Sequence, residues 1–76
     1  MSRYTQSLED STGRYITYGF DKPMSVYFGQ LYDPGVDGPL EEVEGRPDLF
    51  HFFDKHKVTE RIPEEHKEKL FLDLPF

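Results

Sequence analysis

Three features of the sequence predict a small α+β fold. Residues 14–20 and 25–32 are rich in Tyr, Phe, Ile and Val and alternate with period two, as half-buried strands do. Downstream, Pro47 opens a stretch in which Leu49, Phe52, Phe53 and His56 recur at helical spacing. The chain has 76 residues, enough for one thin core. Surface scaling gives it about 4,900 Å² folded against about 13,000 Å² unfolded. The predicted architecture is an antiparallel hairpin packed on helix 47–57, with a short second helix at 63–69. Residues 40–44 and 70–74 are candidate short edge strands.

Residues 1–13 are polar and lack a sustained period. Ser7, Ser11, Thr12 and Gly13 read as a flexible lead-in to a single domain spanning 14–76. In strand 14–20, Ile16, Tyr18 and Phe20 share one face; Tyr15, Thr17 and Gly19 share the other. Asp21-Lys22-Pro23-Met24 marks the turn, because Pro23 fixes its own φ and drives Lys22 toward extended geometry. In strand 25–32, Val26, Phe28, Gln30 and Tyr32 alternate with Tyr27, Gly29 and Leu31. Met24, Tyr27, Phe28 and Leu31 also fit a helical stripe, but Gly29 would weaken such a helix by about 1 kcal/mol. The expected core joins Ile16, Tyr18 and Phe20 to Val26 and Phe28 beneath Leu49, Phe52 and Phe53.

Two Gly and two Pro within residues 33–39 define a loop. Leu40 to Glu44 follows as a short charged edge strand that Gly45 ends. In helix 47–57, Asp48 suits the positive end, and Lys55 and Lys57 suit the negative end. Pro63 opens the second helix with Glu64 and Glu65 behind it, turning Ile62, His66 and Leu70 inward. Residues 70–76 read two ways. Leu70, Leu72 and Leu74 alternate as in a strand, and a helix running on to Asp73 is the other reading. The favoured form is a helix ending near Lys69, followed by an extended apolar tail that packs on, or pairs with, the sheet.

Composition narrows the function classes. With no Cys, disulfides and thiolate metal sites are excluded, and a cytoplasmic setting is expected. No 18-residue apolar run suggests a membrane span. The net charge of −6 opposes binding to a phosphate backbone, so no nucleic-acid partner is expected. No Ser lies in a Gly-x-Ser-x-Gly elbow, and no Gly-rich stretch is followed by Lys-Ser or Lys-Thr, so neither acyl transfer nor phosphate cradling is indicated. His51 and His56 are five residues apart and diverge by about 140° on a helix, so they do not form a two-ligand face. A metal protein or small enzyme built on His51 and His66 is a minor alternative. No catalytic, metal or cofactor site is expected.

Two features suggest a protein partner instead. Asp33, Asp37, Glu41, Glu42 and Glu44 put five carboxylates into twelve residues that contain no Lys or Arg. Such a field speeds association with a basic surface, and it also protects an edge strand from aggregation. The second feature is the aromatic content, 5 Tyr and 7 Phe. A single helical layer covers one face of a hairpin, which would leave Tyr15, Tyr27 and Leu31 as an exposed patch unless the C-terminal segment covers it. The expectation is a non-enzymatic acidic interaction module that occludes a basic partner surface. A homodimer that pairs its sheet or tail with a second copy is the alternative.

Overall fold

The computed structural model describes residues 2–8 and 12–76. Among them, four strands form one antiparallel sheet in the order β1-β2-β3-β4: β1 (Tyr4–Ser7), β2 (Tyr15–Asp21), β3 (Val26–Tyr32) and β4 (Glu41–Glu44). Helix α1 (Arg46–Lys55), a 3₁₀ turn (Thr59–Arg61) and helix α2 (Glu64–Phe71) follow. The fold is α+β, as the sequence predicts, and its accessible surface is 4918 Å².

Strand β1 corrects the reading of a flexible lead-in. Tyr4 pairs with Tyr18 and Gln6 with Ile16, and Tyr4 and Leu8 pack against the core. Ser11, another residue of that lead-in, lies outside the described residues.

The hairpin register is the main difference from expectation. Ile16 pairs with Leu31, Tyr18 with Gly29 and Phe20 with Tyr27. Ile16, Tyr18 and Phe20 therefore share a face with Tyr27, Gly29 and Leu31, not with Val26 and Phe28. The cause is loop parity. Asp21 pairs with Val26, so the loop is the four residues Lys22–Ser25, closed by a Ser25 N–H to Lys22 carbonyl hydrogen bond of 3.1 Å. An even loop pairs even-numbered residues of β2 with odd-numbered residues of β3. A one-residue slip would turn every side chain of one strand to the opposite face.

Packing against α1 needs this register. A Cβ at Gly29 would lie 2.8 Å from Leu49 Cδ1 and 2.9 Å from Phe52 Cδ2. The helix thus rests directly on the backbone of β3, with Tyr18 beside the gap. Leu49, Phe52 and Phe53, at i, i+3 and i+4, meet Ile16, Tyr18, Tyr27 and Leu31 in one core, which Val58, Ile62 and Leu70 complete. Phe53 lies edge-on to Tyr18 at 5.1 Å.

Both helices end in a Schellman motif without glycine. In α1, Val58 N–H bonds the Phe53 carbonyl and Lys57 N–H bonds that of Asp54, with Lys57 at φ 59°. In α2, Leu74 N–H bonds the Lys69 carbonyl and Asp73 N–H bonds that of Leu70, with Asp73 at φ 62°. The expected strand at 70–74 is therefore the last turn of α2 and its cap. Beyond it the tail packs on the helix side of the sheet, as expected. Tyr27 Oη donates to the Leu74 carbonyl at 2.8 Å, and the Phe76 ring lies 5.2–5.8 Å from those of His66, Tyr27, Tyr4 and Tyr18.

Candidate functional site

Helices and tail occupy one side of the sheet. Strand alternation assigns the residues of the other side. Register aligns them in three rows running from β1 towards β4. The first holds Ser7, Tyr15 and Tyr32. The second holds Thr5, Thr17, Gln30 and Glu42. The third holds Gly19, Phe28 and Glu44, and continuing the β1 register by one residue brings Arg3 level with Gly19.

These rows form a connected aromatic and polar surface. Tyr15 and Tyr32 stack at 5.4 Å with 18° between their planes. Gln30 is the hub: its Oε1 accepts from Tyr32 Oη at 2.7 Å and more weakly from Arg3 Nη1 at 3.4 Å and Thr17 Oγ1 at 3.5 Å. The Ser2 carbonyl lies where a Gly19 Cβ would stand, and the Arg3 guanidinium of the next residue sits 5.3 Å from the centre of the Phe28 ring. Between β3 and β4 this surface dips into a hollow of about 170 Å³ lined by Arg3, Asp21, Val26, Phe28, Gln30, Glu42 and Glu44, among others.

The structure divides the five expected carboxylates into two groups. Asp33 accepts from Arg14 Nε at 2.8 Å and from the Gly35 N–H at 2.8 Å, which holds its carboxyl below the usual range and fixes the start of the loop. Glu41 lies on the helix side, where it accepts from Lys55 and, at 2.9 Å, from His56 Nε2. The Lys55 bond and then the His56 bond lower its pKa, and the three groups tie β4 to α1. Asp37 is exposed in the loop, and Glu42 and Glu44 stand on the helix-free side. Among the described residues Glu42, Glu44 and Asp21 have no cationic partner.

The expected aromatic patch also divides. Tyr15 lies half-buried on the helix-free side. Tyr27 and Leu31 do not belong there: they are 3% and 7% exposed, buried under α1 and the tail. The alternative in which the C-terminal segment covers this patch holds for Tyr27, through Leu74 and Phe76. Sequence reasoning missed Phe28, Tyr32, Gln30, Asp21 and Arg3. The count of four residues between Asp21 and Val26 is the signal that would have found the first three.

The histidines have separate settings. His51 is exposed on α1, and His56 is held on Glu41. His66 shares a 2.7 Å hydrogen bond with Tyr18 Oη and is enclosed by Tyr4 and Phe76 rings at 4.2 and 5.2 Å. Burial lowers the His66 pKa, and burial first, then Tyr4, pushes that of Tyr18 up to about 12. Both groups are therefore neutral near pH 7. Among the described residues no three His, Asp or Glu side chains are grouped to hold a metal ion, and no helix is long and apolar enough to cross a membrane. No protein-family profile, curated protein or solved structure gives a significant match to this chain.

Proposed function

We propose that the protein is a non-enzymatic interaction module that docks its helix-free sheet face on a basic protein surface and occludes it. The observation that carries this reading is the helix-free face, with Tyr15, Tyr32 and Phe28 beside Glu42, Glu44 and Asp21. Aromatic side chains give contact area at low entropic cost, and carboxylates not neutralised by a cation steer a basic partner and select against acidic ones. The net charge of −6 reinforces that selection. The cysteine-free composition supports a reducing, cytoplasmic setting for this role.

The test is a charge reversal confined to carboxylates without a cationic partner among the described residues. Glu42→Lys with Glu44→Lys should abolish retention of a host protein that the wild type captures at low salt and releases at high salt. Glu60→Lys with Glu68→Lys makes the same change in net charge on exposed positions of the helical layer and should leave retention intact. Equal retention by all three proteins would refute the reading.

A second reading, self-association, rests on Phe71, Leu72 and Leu74, which are 73%, 53% and 48% exposed at the end of α2. Phe71→Ser with Leu72→Ser should convert a dimer to a monomer in sedimentation without disturbing the core. Deleting the tail is the poorer test, because it also removes Phe76 from its aromatic seat. A monomeric wild type would reject this reading.

A further inference from the structure

The geometry points to an arginine side chain of the partner as the group that fills the hollow between β3 and β4, taking the place that Arg3 holds in the free protein. This rests on the docking role proposed for the same face. Arg3 shows what the hollow can receive: its guanidinium lies over the Phe28 ring, where the ring face attracts a cation.

Arg3 is nevertheless a weak occupant. Its one hydrogen bond, to Gln30 Oε1, is long at 3.4 Å, and among the described residues it has no carboxylate partner. Four of its five N–H donors are therefore unused within the described structure. Three carboxylates line the hollow: Asp21 on β2, and Glu42 and Glu44 on β4. Glu42 and Glu44 are alternate residues of β4, about 7 Å apart along the strand, and both project on the Phe28 side. A guanidinium entering from solvent can stack on Phe28 and donate to Glu42 or Glu44 in the fork geometry that a carboxylate accepts. An ammonium matches the charge but neither the stacking plane nor the fork.

Three consequences separate this proposal from general attraction to positive charge. The face prefers arginine to lysine. Phe28 contributes through its ring rather than through its bulk. Removing Arg3 strengthens binding, because a competitor leaves the hollow. The loss of one competing cation–π contact tightens binding about two- to fivefold.

The experiment is a titration of the full chain with a tetra-arginine peptide and a tetra-lysine peptide, followed by NMR of the Phe28 ring and by calorimetry. The expected result is tighter binding of tetra-arginine, with shifts at Phe28, Glu42 and Glu44. Arg3→Ala should tighten it and Phe28→Leu, which keeps an apolar side chain, should weaken it. Equal affinity for the two peptides, unchanged by Arg3→Ala and by Phe28→Leu but lost in Glu42→Lys, would overturn this inference and leave the docking role standing. Binding of neither peptide to the wild type would overturn the inference and count against the docking role as well.

Discussion

The two helix caps provide a direct test of the backbone geometry. Lys57 and Asp73 each hold the left-handed position that closes a Schellman motif, at φ 59° and φ 62°. An L-residue is disfavoured there by about 1–2 kcal/mol, toward the low end for Asp, whereas Gly adopts the region freely but loses about 0.5–1 kcal/mol more backbone entropy on folding. Conformation alone thus gives glycine about 0.5 kcal/mol at either site. Charge separates the two sites. Lys57 is a cation at the negative end of α1, and removing it forfeits about 0.3–1 kcal/mol; Asp73 is an anion at the negative end of α2, and removing it recovers a similar amount, offset in part by loss of its interaction with the Tyr27 hydroxyl. Asp73→Gly should therefore stabilise by up to about 1 kcal/mol, while Lys57→Gly should be close to neutral. For a domain of this size, about 1 kcal/mol corresponds to about 4–8 °C in Tm. Urea denaturation followed by circular dichroism measures both, with an unchanged slope as the check that only stability has moved. Asp73→Ala serves as a control that removes the charge, keeps the Cβ and lacks the left-handed tolerance of Asp, and should be less stable than Asp73→Gly. The reasoning is refuted if Asp73→Gly is no more stable than wild type, or if Lys57→Gly gains more.

Gly29→Ala should destabilise by about 1–3 kcal/mol, because the added methyl group meets Leu49 and Phe52 below van der Waals distance; an unchanged denaturation midpoint would mean that α1 does not rest on β3. Glu41→Gln should lower stability at pH 7 by up to about 1 kcal/mol through loss of the Lys55 and His56 contacts. The folded-state pKa of Glu41 is depressed, so its contribution is present above the ordinary value of 4.5 and is lost as pH falls through the folded value. The gap between variant and wild type should thus close on acidification below 4.5, and a gap that persists at pH 2 would contradict this. His66 should titrate below 6.5 in an NMR experiment, since burial favours its neutral form. Its contribution to stability is likewise present above 6.5 and is lost as pH falls through the folded value, and a midpoint above 6.5 would show that the Glu65 charge outweighs burial.

The elements that could be read from the sequence are those whose apolar pattern alone decides them. Strands 14–20 and 25–32 were legible because β-branched and aromatic residues alternate there, and helix 47–57 because Leu49, Phe52 and Phe53 fall on one stripe. The ends of the helices were less legible for a physical reason. A glycine normally marks the left-handed residue after a helix, and here Lys57 and Asp73 occupy it, so no residue type announces the stop. Leu70, Leu72 and Leu74 then mimicked a strand, although Leu70 is the inward residue of α2 and Leu72 is its cap. Strand β1 was hidden because Tyr4, Thr5, Gln6 and Ser7 carry little apolar signal of their own; their order comes from pairing with β2.

The site depends on parity more than on composition. The stretch Glu41-Glu42-Val43-Glu44 looks uniformly acidic, yet alternation turns Glu41 to Lys55 and His56 and turns Glu42 and Glu44 to the uncovered side. Counting charges along the chain therefore overstates the field available to a partner, because Asp33 and Glu41 are already committed to Arg14, Lys55 and His56. The same parity acts on the aromatics. With four residues in the loop after β2, Phe28 and Tyr32 join Tyr15 on the side that carries the free carboxylates, and Tyr27 goes inward to receive Phe76. One more or one fewer residue in that loop would exchange the two sets. The chemistry of the helix-free face is thus set by loop length, and the glycine at position 29, which seats α1 on the opposite side, keeps that register in place.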